Sequence, residues 1–243
     1  MEYASLGCLR QNLLEIAKME WKDKLNLLQC ITSDLQIIHS HDLVHRDLHS
    51  GNILLNSLKS AYIADLGLSM AANIVLKSKS DGICGILPYI APEVLSNQPY
   101  TKASDIYSFG IIMWEILYGK PVAFVQDSKL QSKIQYQFQV CDGLRPPVHE
   151  NTATCYVNLM KKCWHTEPEK RPTANEVYEI FLEWQNNESI LSKLSESDKK
   201  LQNIKNEDMQ INIDSLYKSK FISFNSAYQG NYNFIIKKIL IYT

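Results

Sequence analysis

Residues Ile106 to Tyr118 read IYSFGIIMWEILY, apolar on nearly every side of a helix, and this segment constrains the fold more than any other. A helix without a polar face cannot lie on a surface, so the chain must build a helical body around it. Gly119 and Pro121 give it a place to stop. The sequence also supplies one-faced helices to surround it. Leu28, Ile31, Leu35 and Ile38 recur at helical spacing, and Tyr156, Leu159, Met160, Cys163 and Trp164 make a second stripe. A third stripe, Ala174, Val177, Tyr178 and Phe181, follows Thr173, with Glu176 placed to complete a capping box. The aromatics in these stripes read as core.

The helix carrying Leu28 to Ile38 delivers the chain into His45 Arg46 Asp47 Leu48 His49 Ser50 Gly51 Asn52. Thirteen residues past Asn52 lies Asp65, inside Ile63 Ala64 Asp65 Leu66 Gly67. Between them two short apolar runs, Ile53 to Leu55 and Ala61 to Ile63, flank a polar turn at Asn56 to Ser60, which predicts a hairpin. That hairpin would bring Asn52 and Asp65 to neighbouring strand ends beside Asp47. A carboxylate, an amide and a second carboxylate around one phosphoryl group suit phosphoryl transfer, which needs an acceptor hydroxyl to be oriented and oxygen ligands to hold Mg²⁺ on the phosphates. An isolated HRD would be no more than a turn. The fixed order of loop, hairpin and second carboxylate sets this stretch apart.

The order HRDxxxxN, hairpin, DxG resembles the catalytic and magnesium loops of the protein kinases. Ala91 Pro92 Glu93 matches that family's APE motif, and Lys102 to Leu117 resembles its central helix, with the leading acid at Asp105. Cys163 Trp164, Pro168 and Arg171 Pro172 resemble the CW, P and RP signature of its tyrosine-kinase-like and tyrosine members. The resemblance implies an α+β fold: a protein-kinase-like C-terminal lobe, mostly α-helical, with a small β-hairpin at the catalytic site and the N-terminal lobe missing. It covers residues 1–186 as hinge and C-terminal lobe, and leaves residues 187–243, rich in Asn, Ser, Lys and Glu, as a polar, poorly ordered tail. The apolar ending, Phe234 to Tyr242, is too short to span a bilayer.

By the same resemblance, Asp47 would steer the proton of the substrate hydroxyl, Asn52 and Asp65 would ligate Mg²⁺, and His49 would stand near the reacting phosphate. Glu2 and Ala4 would meet the adenine of ATP through backbone groups, behind Met1 at the gatekeeper position. Arg46 would receive a phosphate on the activation segment, where Ser69, Ser78 and Ser80 lie near Lys77 and Lys79; for each serine, a solvated loop residue is the competing reading. His45 would be a core histidine, and Glu93 and Arg171 a buried structural ion pair. The implied activity is transfer of the ATP γ-phosphate to Ser or Thr hydroxyls of proteins in signal transduction, in a cytoplasmic protein of the tyrosine-kinase-like group.

Two positions depart from the serine/threonine pattern. His49 stands where Lys is usual, and Ile86 stands where Thr is usual and cannot hydrogen-bond Asp47. HRDLHSGN is also close to the HGDLHxGN of small-molecule phosphotransferases, but those enzymes lack the APE and CW…RP segments. The LAARN and LRAAN patterns usual in tyrosine kinases are absent. The glycine-rich loop, strand lysine and helix glutamate of a kinase N-terminal lobe do not occur in these residues, so the chain alone is expected to bind ATP poorly and transfer phosphate slowly. The alternative function is a pseudokinase-like scaffold that docks a partner on the surface left by the missing lobe.

A net charge of −1 offers no basic footprint for nucleic acid. The six cysteines form no CxxC pair and read as free thiols. No signal peptide and no membrane-spanning segment are expected.

Overall fold

The computed structural model describes residues 4–71, 83–122, 130–205 and 220–222. The chain opens with α1 (Leu9–Ala17) and α2 (Trp21–Ser40), then β1 (Leu43–Val44), β2 (Ile53–Ser57), β3 (Ser60–Ile63), β4 (Met70–Ala71) and β5 (Ile83–Gly85). The helices α3 (Pro92–Leu95), α4 (Lys102–Tyr118), α5 (Leu130–Cys141), α6 (Thr154–Cys163), α7 (Ala174–Gln185) and α8 (Glu188–Lys205) follow, and the last described strand is β6 (Lys220–Ile222).

The all-apolar segment forms α4 and is enclosed, with every residue from Ser104 to Tyr118 buried. Thr101 and Ser104 cap its start reciprocally. Gly119 ends it in the left-handed region at φ 69, where its N–H returns to Glu115 O at 2.8 Å. A side chain at Gly119 would also meet Ala17 Cβ at 2.7 Å, so glycine is what lets α1 close over the end of α4. The stripe Leu25, Leu28, Ile31 and Leu35 on α2 has no exposure and packs towards α7. On α7 the capping box of Thr173 and Glu176 is present, and the buried face is Ala174, Val177, Phe181 and Trp184. Tyr178 is only half-buried, because Trp184, a turn after Phe181, completes the stripe in its place.

β2 and β3 form the expected antiparallel hairpin, pairing Ile53 with Ile63, Leu54 with Tyr62 and Leu55 with Ala61. The strands run further into the polar stretch than the sequence suggests, as far as Ser57 opposite Ser60 across an irregularity after Leu55. Asp34 on α2 accepts the Ile63 N–H at 2.8 Å and ties the hairpin to the helix.

Composition is misleading beyond residue 186. Residues 188–205, expected to be part of a poorly ordered tail, form α8, with Leu191, Leu194 and Leu201 buried. These three leucines lie on one helical face, a narrow stripe that an average over Asn, Ser, Lys and Glu conceals. Ser197 Oγ donates to Asn151 O and accepts from Ala153 N–H, each at 2.8 Å, and Lys24, fully buried on α2, reaches Asp198. The apolar ending at Phe234 to Tyr242 lies outside the described residues. Among the described residues, no helix is long and apolar enough to cross a membrane.

Cys8, Cys30, Cys141, Cys155 and Cys163 are free thiols. Cys163 is fully enclosed, and burial pushes its thiol up to about 12.

Candidate active site

After α2, Asp42 turns the chain at φ 55 into β1, which hands it to His45. His45 is wholly buried, with Nε2 3.0 Å from Ala64 O, so the ring joins the loop of residues 45–52 to the strand end that carries Asp65. Asp105, on the first turn of α4, holds the loop from below. Its carboxylate accepts the N–H groups of His45 at 2.8 Å and Arg46 at 3.0 Å, and lies 2.9 Å from His39 Nε2. Arg46 is held at φ 74, a left-handed conformation costly for any residue but glycine, and the two N–H bonds to Asp105 fix it there.

That kink presents Asp47, 6% exposed, to the site. Asn52 Nδ2 donates to Asp47 O at 2.9 Å and stands 3.5 Å from Asp47 Oδ2. With Nδ2 engaged, Oδ1 is the end of Asn52 that suits a hard cation. Asn52 O accepts the Ala64 N–H at 2.8 Å, which sets Asp65 next in the chain beside Asn52. Asp65 is exposed at φ 62, and its Oδ1 caps the 3₁₀ turn Leu66–Leu68 through Gly67 N–H at 3.4 Å. The Asp65 carboxylate and the Asn52 amide oxygen would together make an all-oxygen donor set. Such a set fits Mg²⁺ arriving on substrate phosphates, since that ion keeps waters and phosphate ligands and seldom sits in an all-protein cage.

His49 Nδ1 accepts the Gly51 N–H at 3.0 Å and faces Arg10 Nη2 at 3.4 Å. Two donors on Nδ1 put the ring proton on Nε2, which points towards Asp47 Oδ2 at 3.7 Å, beyond hydrogen-bond length. Ile86 is buried at 4%, beside a cleft that Asp47, Gly85, Ile90 and Tyr100 also line.

Not every expected position joins this cluster. Ala4 lies in a turn in which its carbonyl accepts the Gly7 N–H at 3.2 Å, while Glu2 lies outside the described residues. The Arg46 guanidinium stacks 5.0 Å from the Tyr100 ring centre and lies 3.4 Å from Leu68 O. Ser69 is half-buried, whereas Ser78 and Ser80 lie outside the described residues. Glu93 and Arg171 meet away from the loop in a two-pronged pair, both contacts at 2.7 Å, and Arg171 also donates to Ala103 O and His165 O.

A second layer lies under the loop that no motif or spacing in the sequence announces. Arg10 Nε lies 3.4 Å from Ser50 Oγ, Ser50 Oγ lies 3.1 Å from Tyr89 Oη, and Tyr89 donates to Glu115 Oε1 at 2.6 Å. Val122 N–H donates to the same oxygen at 2.9 Å. Burial pushes the Glu115 carboxyl and the Tyr89 hydroxyl above their ordinary values. The one available signal was Glu115 itself, an acid within an otherwise apolar helix.

The family model for protein tyrosine and serine/threonine kinases matches residues 1–181. The chain belongs to this kinase family. Among its relatives, the mimivirus protein R818, named as a serine/threonine-protein kinase/receptor, is 32% identical over 179 residues, 72% of this chain and 10% of that protein. The serine/threonine/tyrosine-protein kinase HT1 of Arabidopsis thaliana is 31% identical over 183 residues, 74% of this chain and 45% of HT1. Mitogen-activated protein kinase kinase kinase 13-A of Xenopus laevis is 30% identical over 178 residues, 73% of this chain and 18% of that kinase. The kinase chain therefore spans less than half the length of each of these relatives.

Proposed function

We propose that residues 1–186 are the hinge and C-terminal lobe of a cytoplasmic protein kinase that transfers the γ-phosphate of ATP to Ser and Thr hydroxyls of proteins in signalling. α8 is part of the same body. The observation that carries the reading is the coupling of Asp47, Asn52 and the Asp65 strand end through Asn52 Nδ2 to Asp47 O and Ala64 N–H to Asn52 O. Asp47 accepts the hydrogen bond of the incoming hydroxyl and aims its oxygen at the phosphorus, a contribution of roughly 10²- to 10⁴-fold. Asn52 and Asp65 would hold Mg²⁺, which would supply positive charge against the phosphates and the developing charge on the leaving oxygen. His49, with its proton on Nε2, donates to the phosphate where the usual Lys would place a full charge. The backbone at Ala4 faces adenine, and Arg46 takes a phosphate from the activation segment.

A second reading has one observation in its favour. Leu66 and Leu68, directly after Asp65, are 49% and 36% exposed, an apolar face that a partner domain would cover. In that reading the lobe is a docking scaffold.

The two readings part on Asp47→Asn. Purified protein is given labelled ATP, Mg²⁺ and a peptide library containing Ser, Thr and Tyr. Slow labelling of Ser and Thr is expected, and Asp47→Asn should lower that rate at least a hundredfold while the weak Mg²⁺-dependent nucleotide binding persists. Transfer that survives the substitution would overturn the catalytic reading.

A further inference from the structure

β5 ends against the catalytic loop. Gly85 lies so close that a Cβ there would stand 3.5 Å from Asp47 Oδ1, and its φ of +140 turns the strand in a way most side chains would resist. A strand edge beside the residue that orients the acceptor hydroxyl offers backbone N–H and C=O groups to any extended chain that lies along it. Here that edge is taken by the protein's own C-terminal region. β6 runs antiparallel to β5, pairing Ile83 with Ile222, Cys84 with Phe221 and Gly85 with Lys220. Among the described residues, β5 pairs with no other strand.

We infer that residues Lys220–Ile222 occupy the peptide-binding edge of the site in cis, as an autoinhibitory strand that must leave before an extended substrate can lie beside Asp47. Adjacent strands stand about 5 Å apart, so a peptide and β6 cannot share this edge. Three residue pairs in a two-stranded sheet are marginal by themselves, which makes the contact reversible. Tethering compensates for that weakness. α8 ends at Lys205 and β6 begins at Lys220 of the same chain, so the occupant is present at an effective concentration on the order of mM. A substrate must exceed that concentration in affinity-weighted terms, or β6 must be drawn away. The functional meaning rests on the proposed kinase reading, whereas the strand exchange does not.

The test compares the full chain with its Phe221→Pro/Ile222→Pro variant. Successive strand N–H groups point in opposite directions, so one of the two prolines removes a ladder donor whichever of the two faces β5. Unchanged far-ultraviolet circular dichroism and melting temperature show that the body is intact. Amide exchange across residues 83–85 should be at least tenfold faster in the variant. A labelled synthetic peptide of residues 216–226 should bind the variant at least tenfold more tightly than the native chain. Equal exchange rates, or equal peptide affinity, would overturn the inference. Neither readout requires phosphate transfer, so a failure of the kinase reading would appear separately, as absent transfer with the strand exchange intact.

Discussion

Asp105 shows how much of the candidate site depends on a single buried side chain. Its two oxygens take the N–H groups of His45 and Arg46, and this fixes the left-handed turn at Arg46. Asn at this position would keep one acceptor and turn an NH₂ group towards a backbone donor. An unsatisfied buried donor costs about 1–3 kcal/mol. Asp105→Asn should therefore lower the unfolding free energy from urea melts by a similar amount and speed amide exchange at residues 45–46, with α7 unaffected. Unchanged exchange there would mean that the loop holds its shape without Asp105. Glu93 and Arg171 act at the same scale but elsewhere, joining the start of α3 to the segment before α7 and leaving the loop of residues 45–52 to Asp105.

At the scale of elements, α8 is held by a buried charge pair. Burial lowers the Lys24 ammonium from its ordinary value, and Asp198 opposes that shift. Breaking such a pair from one side typically costs about 3–5 kcal/mol, while replacing both partners by apolar residues is neutral or stabilising by about 1–4 kcal/mol. Lys24→Met alone should therefore destabilise the protein, and Lys24→Met with Asp198→Leu should recover or exceed native stability in urea melts. A double variant weaker than the single one would refute this. The cap of α7 gives a pH dependence. Thr173 N–H and Oγ donate to Glu176 and hold its carboxyl below the ordinary value of 4.5. The folded state thus binds that proton less readily than the unfolded state, so the stabilisation is complete above pH 4.5 and declines as pH falls through the lowered value. Glu176→Gln should flatten that part of the acid limb in thermal melts between pH 5 and the acid transition.

At the scale of the molecule, the proposed kinase reading gives the nucleotide a floor among the described residues and no roof there. Holding reactants in line and excluding water account for much of the rate in such chemistry. Residues 1–243 by themselves should bind MgATP weakly and turn over slowly. Robust autophosphorylation by this purified chain, measured with labelled ATP, would contradict that expectation.

The sequence by itself determined the helix that must be enclosed, the order of the kinase-family motifs, and the hairpin that brings Asn52 beside the Asp65 strand end. Each of these is written in local periodicity or fixed spacing. The buried status of His45 and the pairing of Glu93 with Arg171 were legible only through resemblance to a family. Only the tertiary structure decided the rest. Arg10, Ser50, Tyr89 and Glu115 come from four separate segments, and no spacing connects them before the chain folds. α8 was hidden because three leucines on one face scarcely move an average taken over a polar stretch. The meeting of β6 with β5 joins residues more than a hundred positions apart through backbone groups that every residue carries, so side-chain identity could not announce it.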